Sequence, residues 1–130
     1  MRAVPAVDVV DETFLVVPPK TLAAVFAEPA SWAKYWPDLV LSVYLDRGEQ
    51  GLRWTVGGPL SGTMEVWLEA VLDGTMLHYF LRADFPEGVV RTPRQAQKER
   101  QARQFAAKQA ALDLKLILED GRPAGVPPTG

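Results

Sequence analysis

The residue best suited to acid-base chemistry is His78, the single histidine of the chain. An imidazole can accept or donate a proton near neutral pH, and His78 stands among apolar neighbours in the run TMLHYFLRADF. The next residue, Tyr79, offers a hydroxyl that can assist proton transfer. No second histidine and no cysteine joins them, so the sequence also fits a histidine that only makes structural hydrogen bonds. We therefore consider both a catalytic and a structural role for His78.

A second polar group is formed by Glu65, Glu69 and Arg82. The two glutamates are four positions apart in a run that has the pattern of a strand, so their side chains share one face. Arg82 in the following run is placed to reach one of them across a strand pair. We interpret this group as an exposed cross-strand ion pair.

The overall composition is that of a globular protein. Apolar residues make up 48% of the 130 residues, charged residues 23%, and the formal net charge is -2. The chain has no cysteine, which excludes disulfides and thiolate metal sites, and one histidine cannot form a histidine-rich metal site. We expect no metal and no cofactor.

Positive charge is concentrated in residues 91–103, which contain five basic residues against the single acidic Glu99: Arg91, Arg94, Lys98, Arg100 and Arg103. Such a run fits an acidic lipid head group, an acidic partner or nucleic acid, but most often it is a solvated helix face. No aromatic residues are interleaved with these charges, so we expect no nucleic-acid partner.

The sequence carries no sign of export or membrane insertion. Its N-terminus lacks a basic start followed by an apolar run, and no window approaches 18 uninterrupted apolar residues. These features predict a cytoplasmic protein without stable membrane insertion. The length fits one domain, which we assign to residues 1–121, and the glycine- and proline-rich residues 122–130 are expected to form a loose tail.

The first third of the chain predicts a strand followed by two short helices. Residues 7–17 combine β-branched and aromatic residues with partial alternation, and Pro18 and Pro19 end this strand. A helix is expected over residues 20–27. A second helix opens at Pro29 and Ser31 and closes before Pro37.

Four further strands are expected over residues 39–46, 52–56, 62–71 and 75–85. In the first of them, alternation places Leu39, Leu41, Val43 and Leu45 on one face. Asp73-Gly74 predicts a tight hairpin between the last two strands. In the last strand both faces carry apolar bulk, with Met76, His78, Phe80 and Arg82 on one side and Leu77, Tyr79 and Leu81 on the other.

One long helix is predicted over residues 93–120. Thr92 offers an N-cap, Pro93 suits the first turn, and Gly121 ends the helix. Residues at three- and four-residue spacings make a single stripe that must pack on a partner surface, either the chain's own sheet or another subunit: Ala102, Phe105, Ala106, Gln109, Leu112 and Leu116. The fold class is therefore α+β, with a curved antiparallel sheet around a long C-terminal helix.

This order of elements, with the segment VVPPKTLAAVFAEPASWAKYWPDL, resembles the START-like or SRPBCC helix-grip superfamily. Members often begin with a strand that ends in a proline, followed by an aromatic-rich second helix that closes in an aromatic-proline pair. The segment GTMEVWLEAVLDGTMLHYFLRAD is similar to uncharacterised actinobacterial proteins labelled polyketide cyclase/dehydrase, and no catalytic motif comes with it. The chain has four expected strands after the two helices where the superfamily has five or six. The departure predicts a short sheet with edges open to a second copy.

The resemblance implies a ligand between the sheet and the long helix, in a mostly apolar cavity. The candidates for that site are Trp36, Trp54, Trp67, His78, Phe80, Phe105 and Gln109. The alternative is that these aromatic side chains simply fill the core.

Three functions follow as hypotheses. The first is binding of an apolar, lipid-like or polyketide-like small molecule without chemistry. The second is a cyclase or dehydratase in which His78 or Tyr79 assists proton transfer. The third is a non-catalytic homodimeric interaction protein with a filled core, which associates through strand edges or the basic helix.

Overall fold

The computed structural model describes residues 5–119. Five strands and three α-helices follow in chain order: β1 Val7–Leu15, α1 Pro19–Ala27, α2 Pro29–Tyr35, β2 Val40–Asp46, β3 Gly51–Gly57, β4 Ser61–Val71, β5 Gly74–Asp84 and α3 Pro93–Glu119. A short 3-10 helix, Gly48–Gln50, connects β2 and β3. The predicted end of the long helix at Gly121 and the predicted tail lie outside the described residues. Within those residues, no helix is both long and apolar enough to cross a membrane.

Prolines and one capping box set the helix boundaries. Pro19 and Pro29 occupy the first positions of α1 and α2, where a missing N–H costs nothing. At the start of α3, the Thr92 backbone N–H donates to Gln95 Oε1, and the Gln95 N–H donates back to Thr92 Oγ1. This reciprocal pair satisfies two donors of the first turn, as the sequence predicts for Thr92.

The strands form one antiparallel sheet in the order β1-β5-β4-β3-β2, which confirms the α+β helix-grip class. We call the face that carries Leu77, Tyr79 and Leu81 the inner face, because α3 packs against it, and the opposite side the outer face. The turn between β4 and β5 consists of Leu72 and Asp73, with Leu72 at φ 51°. The predicted Asp73-Gly74 turn is therefore shifted by one residue.

Long side chains of α3 cover the free edge of β1. Gln104, Lys108 and Lys115 donate hydrogen bonds to the carbonyl oxygens of Val10, Glu12 and Phe14 at 2.8–3.0 Å. These carbonyls would otherwise be open to another strand. The helix is thus attached to the sheet largely by polar contacts along one edge.

The other edge strand, β2, differs from the prediction. An irregularity between Val43 and Leu45 breaks the alternation, so Leu39, Leu41, Val43 and Leu45 do not share one buried face. Leu39 is buried, whereas Val43 and Leu45 are 41% and 39% exposed. A bulge of this kind is common at sheet edges, where one residue has no partner to fix its direction.

The predicted packing face of α3 is also wrong. The helix packs on the sheet through Ala107, Ala111 and Leu114, while Phe105 and Leu116 of the predicted stripe are 67% and 74% exposed. The surface of β1 that faces α3 is polar, because it carries Asp11 and Thr13, and Lys108 binds both. Small residues and one lysine fit this surface better than Phe105 or Leu116 would.

Candidate functional site

The candidate site is a small gap between the inner face of the sheet and α3. Its volume is about 20 Å³, room for about one water molecule. The helix contributes Ala107, Ala110, Ala111 and Leu114, and the rest of the gap is lined by Asp11, Phe26, Trp36, Val66, Leu77 and Tyr79. The space beneath the helix is therefore nearly filled in this structure.

Trp36 closes the gap from the side and is the centre of an aromatic cluster. Its ring stacks on Tyr79 with centroids 5.8 Å apart and an interplanar angle of 8°. It also contacts Phe26 and Trp54 at 6.3 Å and 5.9 Å. Trp36 directly follows α2, where Pro37 ends the helix, and this position turns its ring into the core.

Two buried donors of this cluster have poor acceptors or none. The Tyr79 hydroxyl donates to the thioether sulfur of Met64 at 3.2 Å, which is a weak acceptor. Burial raises the pKa of Tyr79 well above its usual range, and the nearby Arg103 guanidinium, which lowers this pKa, offsets only part of the rise. The hydroxyl therefore stays protonated. The indole N–H of Trp54 is buried and has no hydrogen-bond partner within residues 5–119. Of the two, only Tyr79 lines the gap, whereas Trp54 lies behind Trp36 in the cluster.

Ion pairs hold α3 at several points along its length. Arg103 donates to both carboxylate oxygens of Asp38 at 3.0 and 2.6 Å and also to Glu99. The hydrogen bond from Arg103 lowers the pKa of Asp38, and burial opposes it only in part. Near the other end, Glu119 accepts the Val16 backbone N–H at 2.7 Å. These polar contacts hold α3 in place, and few large apolar side chains contribute.

The pairing of Asp38 with Arg103 predicts a dependence of stability on pH. A carboxylate whose pKa is lowered on folding stabilises the fold above its unfolded pKa, and this contribution is lost as the pH falls through the lowered value. We expect Asp38→Asn to reduce the free energy of unfolding at neutral pH and the difference from wild type to vanish between about pH 5 and pH 2. The effect is modest because the Asp38 side chain is half-exposed.

Urea denaturation of both proteins across this range measures the difference. Glu87→Gln, at an exposed position, is the control for removal of one negative charge. A difference between Asp38→Asn and wild type that does not change with pH would contradict the role of the Asp38 charge.

A second cluster lies on the outer face around His78. Its imidazole stacks on Trp67 with centroids 4.2 Å apart, and the ring of Phe80 lies parallel at 6.4 Å. The two imidazole nitrogens face Glu69 at 2.9 Å and Glu12 at 3.7 Å. His78 is thus buried between aromatic rings and two carboxylates, and the sheet separates it from the gap under α3.

The predicted ion pair of Arg82 with Glu65 or Glu69 does not form. Glu65 pairs instead with Arg47 at 2.8 Å and with Arg53 at 3.1 Å. Arg82 lies 4.0 Å from Asp8 on β1, its direct neighbour across the strand pair. Glu65 is directly opposite Phe80, so Arg82 is only its diagonal neighbour.

The seven predicted site residues therefore occupy three places. Trp36 and Trp54 lie in the aromatic cluster at the gap, and Trp67, His78 and Phe80 lie on the outer face. Phe105 and Gln109 are exposed on α3, beside a groove between α2 and α3. Of the residues that line the gap, the sequence analysis named Trp36 for binding and Tyr79 only for proton transfer. It missed the others: Asp11, Phe26, Val66, Leu77, Ala107, Ala110, Ala111 and Leu114. The alternation in β5 does separate its two faces, but both are apolar, so it does not tell which one faces the helix.

Solved structures with the same fold are found at low sequence identity. The Aha1 dimer from Colwellia psychrerythraea has a TM-score of 0.66 at 14% identity, covering 90% of this chain and 99% of that one. A protein from Cytophaga hutchinsonii has a TM-score of 0.62 at 11% identity, with 88% and 94% covered. The di-domain ARO/CYC protein StfQ from the steffimycin biosynthetic pathway has a TM-score of 0.62 at 16% identity over 92% of this chain and 52% of StfQ. No family model and no curated protein matches the chain in sequence.

These likenesses define the class of protein by its fold. The chain is an α+β protein of the helix-grip type, consistent with the SRPBCC-type fold that its segments resemble. The chain spans about half the length of StfQ, which has two domains.

Proposed function

We propose that the chain binds a small, mostly apolar molecule between the inner face of the sheet and α3. The ligand is lipid-like or resembles an aromatic polyketide, and it carries at least one oxygen that accepts a hydrogen bond. Because the present gap holds only about 20 Å³, the ligand enters as α3 moves outward from the sheet. The binding-competent state is thus a more open form of the structure described above.

The observation that carries this proposal is the composition of the helix surface over the gap. Three of the four α3 residues that line it are alanines, and they face the large side chains of Phe26, Trp36 and Tyr79. Stabilisation by burial grows with the apolar area removed from water, so separating alanines from the sheet loses less apolar burial than separating larger side chains would. Outward movement stretches the ion pair of Lys108 with Asp11, which lines the gap, whereas the contact of Lys115 with the Phe14 carbonyl lies at the edge of the sheet.

The two poorly satisfied donors favour a ligand that is not a pure hydrocarbon. A carbonyl or hydroxyl oxygen that reaches Tyr79 would replace the thioether of Met64 by a stronger acceptor. An oxygen beside Trp54 would satisfy an indole N–H that has no partner among the described side chains and backbone. The likeness to StfQ, an ARO/CYC protein, supports an aromatic polyketide-like ligand rather than a simple alkane.

Catalysis by His78 on such a ligand is less well supported by the geometry. His78 lies on the outer face, on the opposite side of the sheet from the gap. Tyr79 does line the gap, but as a protonated hydroxyl it serves as a donor that orients a ligand. We therefore propose binding without chemistry as the function.

The proposal predicts that palmitate or a tricyclic anthraquinone quenches the tryptophan emission in a saturable way, because Trp36 lines the gap and contacts Trp54, which in turn contacts Trp32. Ala110→Leu should weaken binding by about tenfold or more, since it fills the space that the ligand needs. Ala110 is only partly buried, so the added side chain is expected to be tolerated.

The matched control is Ala96→Leu, the same change on α3 outside the residues that line the gap. It should bind the probe as wild type does. Equal affinity of all three proteins, or no change in emission with any probe, would contradict binding beneath α3.

A further inference from the structure

The helix α3 has a second apolar stripe that nothing in the described part of the chain covers. We call it the α3 seam and define it as Ala102, Phe105, Gln109, Leu112 and Leu116. All of these residues are exposed, with Phe105, Leu112 and Leu116 at 67%, 45% and 74%. Large apolar side chains in one continuous stripe are unfavourable in water and indicate an interaction surface.

The spacing of the α3 seam is that of a two-stranded coiled coil. Its members follow one another at alternating intervals of three and four residues, the pattern of the a and d positions of a heptad repeat. The face that packs on the sheet, Ala107, Ala111 and Leu114, is a different one. The helix thus carries one apolar face for its own sheet and another with coiled-coil spacing.

From this arrangement we infer that α3 pairs through its seam with the same seam of a second copy of the chain, the two helices running parallel. Gln109 lies in the middle of the seam at an a position, where its amide can exchange hydrogen bonds with Gln109 of the partner subunit. The apolar seam ends at Ala102, because the next position towards the N-terminus is Lys98. Two heptads form a short contact, so the association is weak and depends on concentration.

The charges that flank the α3 seam set the orientation. The e positions carry the acidic Glu99 and Asp113, and the g positions carry the basic Arg94, Lys108 and Lys115. In a parallel pair each g position faces an e position of the other helix. Within one chain Lys108 binds Asp11 and Thr13, and Asp113 accepts from the Tyr35 hydroxyl, so the complementarity is one of charge along the two sides of the seam and does not require a new ion pair. An antiparallel pair would instead bring acid against acid and base against base.

The edge strand β2 is a weaker place for self-association. Its exposed Val40, Val43 and Tyr44 are apolar or aromatic, but the bulge between Val43 and Leu45 interrupts the regular row of backbone donors and acceptors. Bulges protect sheet edges against pairing with another strand. The other sheet edge, β1, is covered by side chains of α3.

Cross-linking tests the pairing directly, because the chain has no cysteine of its own. Single cysteines are introduced as Ala102→Cys, Gln109→Cys and Leu116→Cys, and disulfide formation is followed under mild oxidation. In a parallel pair each of these positions meets itself, so all three variants should form dimers about tenfold faster or more than the 97% exposed control Leu72→Cys. In an antiparallel pair an a position meets a d position of the other helix, so cross-linking only in a mixture of Ala102→Cys with Leu112→Cys would show an antiparallel pair and overturn the parallel arrangement.

Sedimentation equilibrium measures the dimer affinity of two variants, one expected to dimerise more tightly and one not at all. Gln109→Leu extends the apolar seam and should tighten the dimer by about tenfold or more, whereas Leu116→Glu should abolish it. Both positions are exposed, so the fold should tolerate the changes. If Val43→Lys on β2 abolishes the dimer and Leu116→Glu does not, the edge strand is the interface and the inference is wrong. A monomer for Gln109→Leu at millimolar concentration would overturn it as well.

Discussion

Trp36→Ala should lower the free energy of unfolding by about 3–5 kcal/mol, because it removes a large ring from the centre of the aromatic cluster. Trp36 is 4% exposed and contacts the rings of Phe26, Trp54 and Tyr79. The cavity left behind is continuous with the gap under α3, which Trp36 lines. Apolar cavities of this kind bind small aromatic compounds, so millimolar indole should restore part of the lost stability.

Urea denaturation with and without indole measures both effects. Trp67→Ala is the matched control, since Trp67 is partly buried on the outer face and stacks on His78. We expect a smaller loss of stability in this variant and no recovery with indole. Equal losses in the two variants, or recovery by indole in both, would contradict the position of Trp36 at the gap between the sheet and α3.

Gly51→Ala is expected to destabilise the fold by about 2–4 kcal/mol, because the new methyl group meets backbone on the neighbouring strand. Gly51 opens β3 at φ 118°, a conformation that favours glycine. A Cβ atom there would overlap the carbonyl group of Val66 on β4, which lines the gap with its side chain. The strands therefore have to separate at this point, and the register of β3 and β4 is disturbed.

The last residue of the same strand supplies the control. Gly57 has an ordinary backbone conformation, and an added Cβ would lie 3.6 Å from the Cβ of Val40. Thermal or urea denaturation should show Gly57→Ala near wild type and Gly51→Ala well below it. If the two variants were equally stable, β3 and β4 would not approach at Gly51 as closely as the structure shows.

The order and type of the elements could be predicted from the sequence because proline, glycine and capping residues act locally. Pro18, Pro19 and Pro37 place the ends of β1 and α2 within two residues of the structure, and Thr92 starts α3. The alternation in β4 and β5 likewise separates the two faces of each strand. Such signals depend only on backbone chemistry near each residue, so they do not require knowledge of the tertiary contacts.

The location of the site could not be predicted, because periodicity identifies a face and not its partner. In β5 both faces are apolar, and the prediction placed His78 and Phe80 on the face towards α3, where the structure has Leu77 and Tyr79. In α3 the larger side chains, Phe105 and Leu116, form the more obvious stripe, yet the helix packs through alanines. A pattern of small residues is weak in sequence because alanine is common on every helix face.

The two proposals concern different faces of α3. Ligand binding requires the face with Ala107 and Ala111 to move away from the sheet, whereas self-association uses the seam around Gln109. Leu116→Glu therefore provides a form in which ligand binding can be measured without the dimer. If Leu116→Glu loses the dimer but still binds the ligand, the proposed function stands without the dimer. If Ala110→Leu loses ligand binding but still dimerises, the pairing through the α3 seam stands without the ligand site.

The most direct test of ligand binding under α3 is a titration of the isotope-labelled protein with palmitate or the anthraquinone, followed by chemical shifts. Because neighbouring amides of one strand shift together, the informative signals are those of the side chains: binding as proposed predicts saturable shifts of the Leu77 methyl, Tyr79 ring, Ala107 methyl and Ala111 methyl signals at the gap, with little change of the Trp67 and Phe80 ring signals on the outer face. Saturable shifts that are confined to the outer face, or no shifts with either compound, would contradict a ligand site between the sheet and α3.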